Sequence, residues 1–346
     1  MARISPGRTL RTPAVGRDPS GSSGEASELT NVHQHTEGSL SAGASHATEA
    51  DRFRGCLLGL ATGDALGTTL EFRRRDSYSP LTDMVGGGPF NLQPGEWTDD
   101  TSMALCLATS LVSQPGFDAS DQMKRYCDWA DSGYLSSNGR CFDIGNTIRR
   151  ALGVYRSTGE PFAGPVEPNA AGNGSLMRLA PVVMFFYPRR DLILHFARES
   201  SRTTHGAGEC VEACQLFAAF LTRALGGDAR QGILSPVPIR FTSPRIQEIA
   251  DLEFLGRERS EIRSSGYVVH CLEAALWCFS RTTSFADAVL LAANLGDDAD
   301  TTAAVCGQLA GAHYGASAIP DRWLRQLAMY DAIATLANSL WCAAPS

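Results

Sequence analysis

Apolar residues recur with the period of an α-helix from about residue 51 to the C-terminus. Phe53, Cys56, Leu57 and Leu60 occupy positions i, i+3, i+4 and i+7, which places them on one helical face. Similar patterns start near these residues: Ser102, Ala119, Ile144, Ser175, Asp191, Gly206, Tyr267, Phe285, Thr301 and Asp321. No stretch alternates apolar and polar residues convincingly enough to predict a strand. The sequence therefore predicts an all-α fold, a compact single-domain helical bundle over residues 51–346.

Glycines refine this prediction at two places. Gly55, Gly59 and Gly63 recur every four residues on the first predicted helix. Small residues at this spacing form a groove that lets a second helix approach closely. Residues 226–245 contain many Gly, Pro and Ser residues, and we interpret them as a surface excursion.

The first fifty residues differ in composition from the rest. They are rich in Ser, Gly, Thr and Pro and poor in large apolar side chains, so they cannot bury enough surface to fold alone. The early arginines are typical of a transit peptide, but Pro6 and Pro13 interrupt any amphipathic helix and no apolar signal core follows. Residues 1–50 are therefore predicted to be a flexible N-terminal arm, available for contact with a partner.

Charge and hydropathy exclude two classes of partner. The net charge of −7 argues against a nucleic acid, because phosphate binding needs a basic face. No apolar run approaches the roughly 20 residues of a membrane span. The ten cysteines include no Cys-x-x-Cys pair, and six of them lie in apolar helical patterns: Cys106, Cys210, Cys214, Cys271, Cys278 and Cys306. Buried, reduced thiols are predicted, which favours a cytoplasmic location.

Two acidic clusters each stand directly before an apolar helical segment, in the sequences WTDDTSMAL (residues 97–105) and NLGDDADTTAAV (residues 294–305). Helix capping explains one Asp in each cluster. The surplus carboxylates repel one another unless a cation lies among them. If the two helix starts converge, the carboxylates and threonine hydroxyls supply hard oxygen ligands for Mg²⁺ or Mn²⁺. No His or Cys accompanies them, so zinc is not expected.

A glycine-rich turn, NAAGNGSLMRLAP (residues 169–181), is a further candidate site. Gly172, Asn173, Gly174 and Ser175 are predicted to lead into a helix containing Leu176, Met177 and Leu179. Such a turn is either a linker or a phosphate cradle at a helix start. It is not a P-loop, because the Gly-Lys-Ser/Thr ending is missing. Arg178 is expected to be structural and to reach back to a buried carboxylate.

Several single residues have a simple structural explanation. Asp143 stands at a predicted helix start and would cap it. His205 is expected at a helix start as a surface or capping residue, and Tyr267 as a core aromatic. Asp64 is expected to cap or order a turn, and Glu71 to be a solvated carboxylate at a helix end.

Six segments in order resemble the ADP-ribosylglycohydrolase family, and specifically its bacterial branch that includes the dinitrogenase-reductase-activating glycohydrolase. They are GCLLGLATGDALGTTLEF, WTDDTSMAL, DIGNTIRRAL, GNGSLMRLAP, SSGYVVHCLEAALWCF and NLGDDADTTAAVCGQLAGAHYG. The resemblance implies an all-helical fold with two Mg²⁺ or Mn²⁺ ions between helix N-termini. The matching motifs place the metal ligands on Thr98, Asp99, Asp100, Asp298, Asp300 and Thr301.

The same resemblance implies roles for other residues. Asp100 or Asp300 would act as the catalytic base, and Glu71 would be catalytic or would gate the metal site. Asp143 would lie near the distal ribose and the target side chain. The diphosphate of ADP-ribose would be bound by the turn of Gly172, Asn173, Gly174 and Ser175. His205 would hydrogen-bond the nucleoside part, and Tyr267 would stack on adenine.

These observations predict a metal-dependent hydrolase that removes ADP-ribose from modified protein side chains. Arginine is the expected linkage, with serine-linked ADP-ribose, O-acetyl-ADP-ribose and poly-ADP-ribose as the other candidates. A second hypothesis is an immunity-type protein whose N-terminal arm binds and blocks an ADP-ribosyltransferase toxin. A third is a structural descendant that binds ADP-ribose without turnover. The intact set of ligand positions argues against the third.

Overall fold

A computed structural model of the chain describes residues 47–114 and 116–344. These residues confirm the all-α prediction, and their only β-type pairings are isolated bridges at Gly87–Leu92 and Gly172–Tyr267. Within the described ranges the α-helices are α1 (Glu49–Gly67), α2 (Asp99–Ser113), α3 (Ala119–Ser132), α4 (Asn146–Thr158), α5 (Ala180–Phe186), α6 (Arg190–Thr204), α7 (Gly208–Gly226), α8 (Arg230–Ile233), α9 (Pro244–Ala250), α10 (Val268–Arg281), α11 (Phe285–Ala293), α12 (Ala299–Tyr314), α13 (Asp321–Gln326) and α14 (Tyr330–Ala343).

The antiparallel pair of α1 and α12 forms the centre of the bundle and has the most extensive packing of any two helices described. Gly55, Gly59 and Gly63 confirm the predicted close approach. A Cβ at Gly59 would overlap the carbonyl oxygen of Gly307, and one at Gly63 would overlap that of Ala303. The two backbones are therefore in direct contact along their length, which leaves no room for even a methyl group at these positions.

This pairing fixes which ends of the two helices meet. Gly55 faces Gly311, whereas Gly67, at the last position of α1, faces Ala299 and Asp300 at the start of α12. The C-terminal end of α1 is thereby held against the first turn of α12. The second acidic cluster lies at this junction.

The hydrophobic core has two parts. The main part surrounds α1 and α12, and a smaller cluster joins α2, α3 and α4 through buried Met103, Tyr126, Trp129 and Leu152. Met177, in the glycine-rich turn, also belongs to the smaller cluster. The turn is thus anchored by packing between the two parts of the core.

One prediction about the helices was wrong. No helix starts at Ser175, because α5 begins only at Ala180. Pro181 has no N–H for the carbonyl of Met177, which instead accepts a 2.7 Å hydrogen bond from Gln308 Nε2, while Ala180 N donates to Gln308 Oε1 at 3.0 Å. The 226–245 segment lies at the surface, as predicted, apart from two residues. It contains α8, and the side chains of Ile233 and Val237 are buried.

The ten cysteines are all free, and the six predicted to be buried in helices are buried. None of the helices in the described ranges is both long and apolar enough to cross a membrane. Helix α1 begins at Glu49, with Thr48 as its N-cap. The proposed arm therefore falls almost entirely outside the described residues, and the toxin-binding hypothesis built on it stays a hypothesis.

Candidate metal and substrate site

The starts of α2 and α12 converge, which was the condition for the two acidic clusters to form one site. Thr98 Oγ1 lies 3.3 Å from Asp100 Oδ2 and 3.4 Å from Asp300 Oδ2. Thr301 Oγ1 lies 3.3 Å from the same oxygen of Asp100. Four of the six predicted ligands are therefore interlinked across about two hundred residues of sequence.

Residues outside the two clusters cap the two helices. Thr98 and Asp298 are the N-cap residues, but neither side chain makes a capping hydrogen bond. Asp64, on α1, accepts from the backbone N–H groups of Thr98 and Thr101 at 2.9 and 3.0 Å, and from their hydroxyls at 2.9 and 2.7 Å. Glu71 Oε2 accepts from Ala299 N at 3.0 Å. Capping therefore does not account for the carboxylates of the clusters.

The carboxylates are crowded and shielded from solvent. Oxygen atoms of Asp64, Asp100 and Asp300 lie within 4.8 Å of one another, as do those of Glu71, Asp298 and Asp300. Burial, followed by the charge of Asp300, raises the pKa of both Asp64 and Asp298 to about 7. The same two causes raise the pKa of Asp99 well above its usual range.

This donor set fits hard divalent cations. Asp100 is fully buried, and its Oδ1 atom has no hydrogen-bond partner among the described residues. An unpartnered buried carboxylate oxygen is costly unless a cation or proton binds it. Burial and the nearby Asp64 carboxylate raise the pKa of Asp100, and a divalent ion among these oxygens would offset both causes. These buried carboxylate and hydroxyl oxygens are the ligand type that hard divalent cations prefer, and they include none of the nitrogen or sulfur ligands typical of zinc.

An open cavity of about 390 Å³ adjoins the cluster. It is lined by Asp99, Asp298, Asp300 and Thr301, whereas Thr98 and Asp100 lie buried behind its floor. The other predicted site residues that border it are the catalytic or gating candidate Glu71 and five substrate candidates: Asp143, Gly172, Asn173, Gly174 and His205. Asn173 joins the two groups, because its Nδ2 donates to Asp298 Oδ2 at 3.0 Å.

Two predicted substrate residues do not border this cavity. Ser175 is buried, and its hydroxyl accepts hydrogen bonds from Ser201 Oγ at 2.9 Å and from Cys214 Sγ at 3.4 Å. Tyr267 lines a neighbouring cavity of about 520 Å³. Its hydroxyl donates to Glu209 Oε2 at 2.6 Å and accepts from Arg245 at 2.9 Å. Tyr267 is therefore a fixed, half-buried ring beside the site and not a core residue.

Asp143 was predicted from the sequence to cap a helix, but it does not. Helix α4 begins at Asn146 with Gly145 as its N-cap, and no side chain caps it. Asp143 has a φ of +58°, a left-handed conformation that Asp tolerates better than most residues. It borders the cavity, and burial and the charge of Asp99 raise its pKa to about 11.

Arg178 is structural, but its predicted carboxylate partner was wrong. The guanidinium is fully buried and donates to the carbonyls of Gly174 and Ser200 and to the hydroxyls of Thr203 and Thr204. The 2.7 Å bond to Gly174 O holds the turn, and the bonds to Ser200, Thr203 and Thr204 tie Arg178, and with it the turn, to the end of α6. His205 follows that helix end and is not at a helix start.

Sequence reasoning missed some of the lining. Phe72 borders the cavity beside Glu71 and is 68% exposed, and Gly266 lies directly against Asp298. Phe72 is the last residue of the recognisable GDALGTTLEF segment, so its position was available from the sequence. Gly266 gave a weaker signal, because nothing in the pattern SSGY indicates an acidic neighbour.

The fold and the site together define a class of helical protein in which two acidic helix starts form the floor of a substrate cavity. The ADP-ribosylglycohydrolase family model matches residues 45–345. The ADP-ribosylarginine hydrolase Tri1 of Pseudomonas putida is 50% identical over 298 residues, covering 85% of this chain and 79% of that protein. The ADP-ribosyl-[dinitrogen reductase] glycohydrolase of Rhodospirillum rubrum is 32% identical, covering 81% and 91%. The solved structure of an ADP-ribosylglycohydrolase-related protein complex superposes with a TM-score of 0.77 at 43% identity, covering 86% of this chain and 99% of that one.

This chain belongs to the ADP-ribosylglycohydrolase family.

Proposed function

We propose that this protein hydrolyses the N-glycosidic bond between ADP-ribose and an arginine side chain of a modified protein. The observation that carries the proposal is the convergence of two acidic helix starts at the floor of the cavity. The 50% identity to an ADP-ribosylarginine hydrolase supports arginine as the linkage.

Two Mg²⁺ or Mn²⁺ ions are the proposed cofactors, held by Thr98, Asp99, Asp100, Asp298, Asp300 and Thr301. When bound, such ions supply Lewis acidity toward the ribose hydroxyls and toward water. Asn173 orients Asp298 through its 3.0 Å hydrogen bond. Asp64 and Glu71 hold the backbones of the two helix starts, so the ligand carboxylates keep their positions without capping duties.

Asp300 is our preferred general base over Asp100. Asp300 borders the cavity, whereas Asp100 lies behind the floor, and a base must reach the proton that it abstracts. Glu71 is proposed to gate the site, because its carboxylate borders the cavity, a single hydrogen bond from Ala299 N holds it in this position, and the exposed Phe72 follows it. Asp143 is proposed to face the target side chain, since it borders the cavity close to the carboxylates of Asp99 and Asp300.

The ADP-ribose would run from the carboxylates along the glycine turn. Gly172 and Gly174 border the cavity and suit a closely approaching diphosphate, while Ser175 supports the turn from inside. Tyr267 would stack on adenine in the neighbouring cavity. The free thiols support a cytoplasmic location, where such thiols stay reduced.

The test is release of ADP-ribose from an arginine-modified protein with Mg²⁺, with Mn²⁺ and with a chelator. We expect metal-dependent release that falls at least about 100-fold in Asp100→Asn, since even indirect supports of a metal site contribute 10- to 100-fold. Asp297→Asn is the matched control, because the side chain of Asp297 is exposed and does not line the cavity. It should retain wild-type activity. No release with either metal, from arginine- or serine-linked substrate, would refute the proposed function.

A further inference from the structure

Arg178 is a buried cation without a carboxylate partner, and its hydrogen bonds lead to a residue of the substrate cavity. The guanidinium is fully buried, and its Nη2 donates to Thr204 Oγ1 at 2.7 Å. Thr204 Oγ1 in turn lies 2.8 Å from Nδ1 of His205. Arg178, Thr204 and His205 therefore form a continuous chain of hydrogen bonds from the core to the cavity.

The direction of this chain follows from the chemistry of its members. A guanidinium can only donate, so Thr204 Oγ1 is an acceptor toward Arg178. The hydroxyl then has one hydrogen to donate, and Nδ1 of His205 is the only acceptor that the described residues offer it. An Nδ1–H would leave that buried hydroxyl hydrogen without an acceptor among the described residues. Acceptance by Nδ1 satisfies both groups and places the ring hydrogen of the neutral imidazole on Nε2.

The neighbouring threonine shows that the arrangement is specific. Thr203 Oγ1 also accepts from Arg178 Nη2, at 3.2 Å, but its own hydrogen goes to the carbonyl of Ser200 at 2.8 Å. Thr203 is therefore bound to Arg178 without any link to His205. The two adjacent residues form a natural matched pair.

His205 Nε2 is directed at the glycine turn. A Cβ at Gly174 would lie 3.0 Å from Nε2, and one at Gly172 would lie 3.4 Å from it. Among the described residues none hydrogen-bonds Nε2, although His205 borders the cavity. Burial and the charge of Arg178 lower the pKa of His205 to about 3, so the ring stays neutral at physiological pH. The nitrogen facing the cavity is thus open to a ligand.

We propose that Arg178 and Thr204 are positioning residues that hold His205 as its Nε2–H tautomer, so that the ring is a neutral donor to an oxygen of bound ADP-ribose. The ligand part of this inference rests on the proposed function. The tautomer itself does not, because it is a property of the free protein. A neutral donor can select an oxygen acceptor without adding a second positive charge beside Arg178.

The tautomer can be read directly by long-range ¹H–¹⁵N correlation spectra of the full chain labelled with ¹⁵N-histidine. The chain has seven histidines, and His205→Gln identifies the signal of His205. In the wild type we expect the Nε2–H pattern, unchanged between pH 5 and pH 8. An Nδ1–H pattern, or a ring that protonates in this range, would overturn the proposal.

Variants of the two threonines distinguish a role in positioning the His205 ring from a general role in stabilising the buried Arg178. Thr204→Val should lose the tautomer preference and weaken ADP-ribose binding, measured by calorimetry, by about 3- to 10-fold, the effect of one hydrogen bond. Thr204→Ser should restore both, and Thr203→Val should change neither by more than about twofold. Equal effects of the two valine variants would mean that Arg178 acts only structurally, which contradicts the proposal. If the wild type does not bind ADP-ribose, the ligand part and the proposed function both fail, whereas the spectra still decide the tautomer.

Discussion

At the scale of single residues, Asp64 and Asp100 belong to one acidic cluster but have opposite relations to the fold. Asp64 accepts four hydrogen bonds from Thr98 and Thr101, so both of its oxygens are satisfied. Asp100 has one oxygen without any partner among the described residues. The first carboxylate is bound to the start of α2 by hydrogen bonds that offset the cost of its burial, whereas the second has a buried oxygen without such compensation. Stability measurements can separate the two roles.

Asp64→Asn should destabilise the protein whether or not metal is present. The Asn amide nitrogen cannot accept from Thr101, so a buried N–H and a hydroxyl at the start of α2 lose their acceptor. We expect the free energy of unfolding to fall by about 1–3 kcal/mol. Urea unfolding in chelator and in Mg²⁺ measures it. An unchanged midpoint would mean that this cap does not hold α2.

Asp100→Asn should have the opposite effect in chelator. Removing one of several buried like charges should raise the free energy of unfolding by about 1 kcal/mol, as at other sites where function costs stability. In saturating Mg²⁺ or Mn²⁺ the order should reverse, because the wild type gains binding free energy that the variant lacks. Thermal unfolding of both proteins in both conditions tests this. A variant less stable than the wild type in chelator would assign Asp100 to the fold rather than to a metal.

At the scale of helices, the sequence predicted most of the elements. It did not predict that the two acidic segments converge, but only that they would form a metal site if they did. The period of the apolar residues located α2, α3, α7, α10 and α12 to within a few residues of their starts. The period failed at Ser175. The backbone groups of Met177 and Ala180 are bound there by the side chain of Gln308, which lies over 120 positions further along the chain. The capping role of Glu71 was likewise hidden, since Ala299 lies 228 positions further along the chain.

The glycines of α1 predicted a close neighbour without identifying it. Their pattern shows only that some backbone approaches closely, and α12 meets them with its own small residues, Gly307, Gly311 and Ala303. This contact fixes the register of α12 along α1, and so it places Asp300 against Gly67 at the end of α1. The geometry of the candidate metal site therefore depends on glycines, whose lack of a side chain lets the two helices touch.

Gly59→Ala should destabilise the protein strongly. The added methyl group would overlap the carbonyl of Gly307, and a backbone oxygen cannot move aside as a side chain can. We expect a loss of at least about 2 kcal/mol in the free energy of unfolding. Gly153→Ala is the control, because Gly153 lies in α4 with nothing within 4 Å of its Cβ position. It should stabilise by about 0.5–1 kcal/mol. Equal effects of the two substitutions in denaturant unfolding would contradict the helix contact.

At the scale of the whole molecule, the site is assembled from segments spread along the chain. Glu71, Asp99, Asp143, Asn173 and Asp298 all border one cavity, although each lies in a different motif. Local patterns identify such residues as candidates, but only the packing of the helices between them brings them together. The order of the motifs along the chain was informative for this reason, since it reflects a shared fold rather than any single local signal.

The boundary of the folded domain yields the last prediction. Thr48 Oγ1 accepts from Asp51 N at 3.2 Å, Glu49 accepts from Trp341 Nε1 at 3.1 Å, and Ala47 O accepts from Arg52. A protein lacking residues 1–44 keeps these contacts, so its unfolding temperature and hydrolytic rate should equal those of the full chain. Removing residues 1–50 deletes the cap and should cost about 1–2 kcal/mol in the free energy of unfolding, with hydrolysis retained at low temperature.

The same pair of truncations tests the hypothesis that the N-terminal segment blocks an ADP-ribosyltransferase toxin. Both truncated proteins lack nearly all of residues 1–50, but only the shorter deletion leaves α1 intact. Loss of toxin binding by the protein without residues 1–44, with its hydrolysis unchanged, would assign binding to the segment and catalysis to the helical domain. If that protein bound the toxin as tightly as the full chain, the segment would have no part in binding. Loss of binding only on removal of residues 1–50 would instead trace the effect to a destabilised α1, because Thr48 and Glu49 hold that helix to the domain.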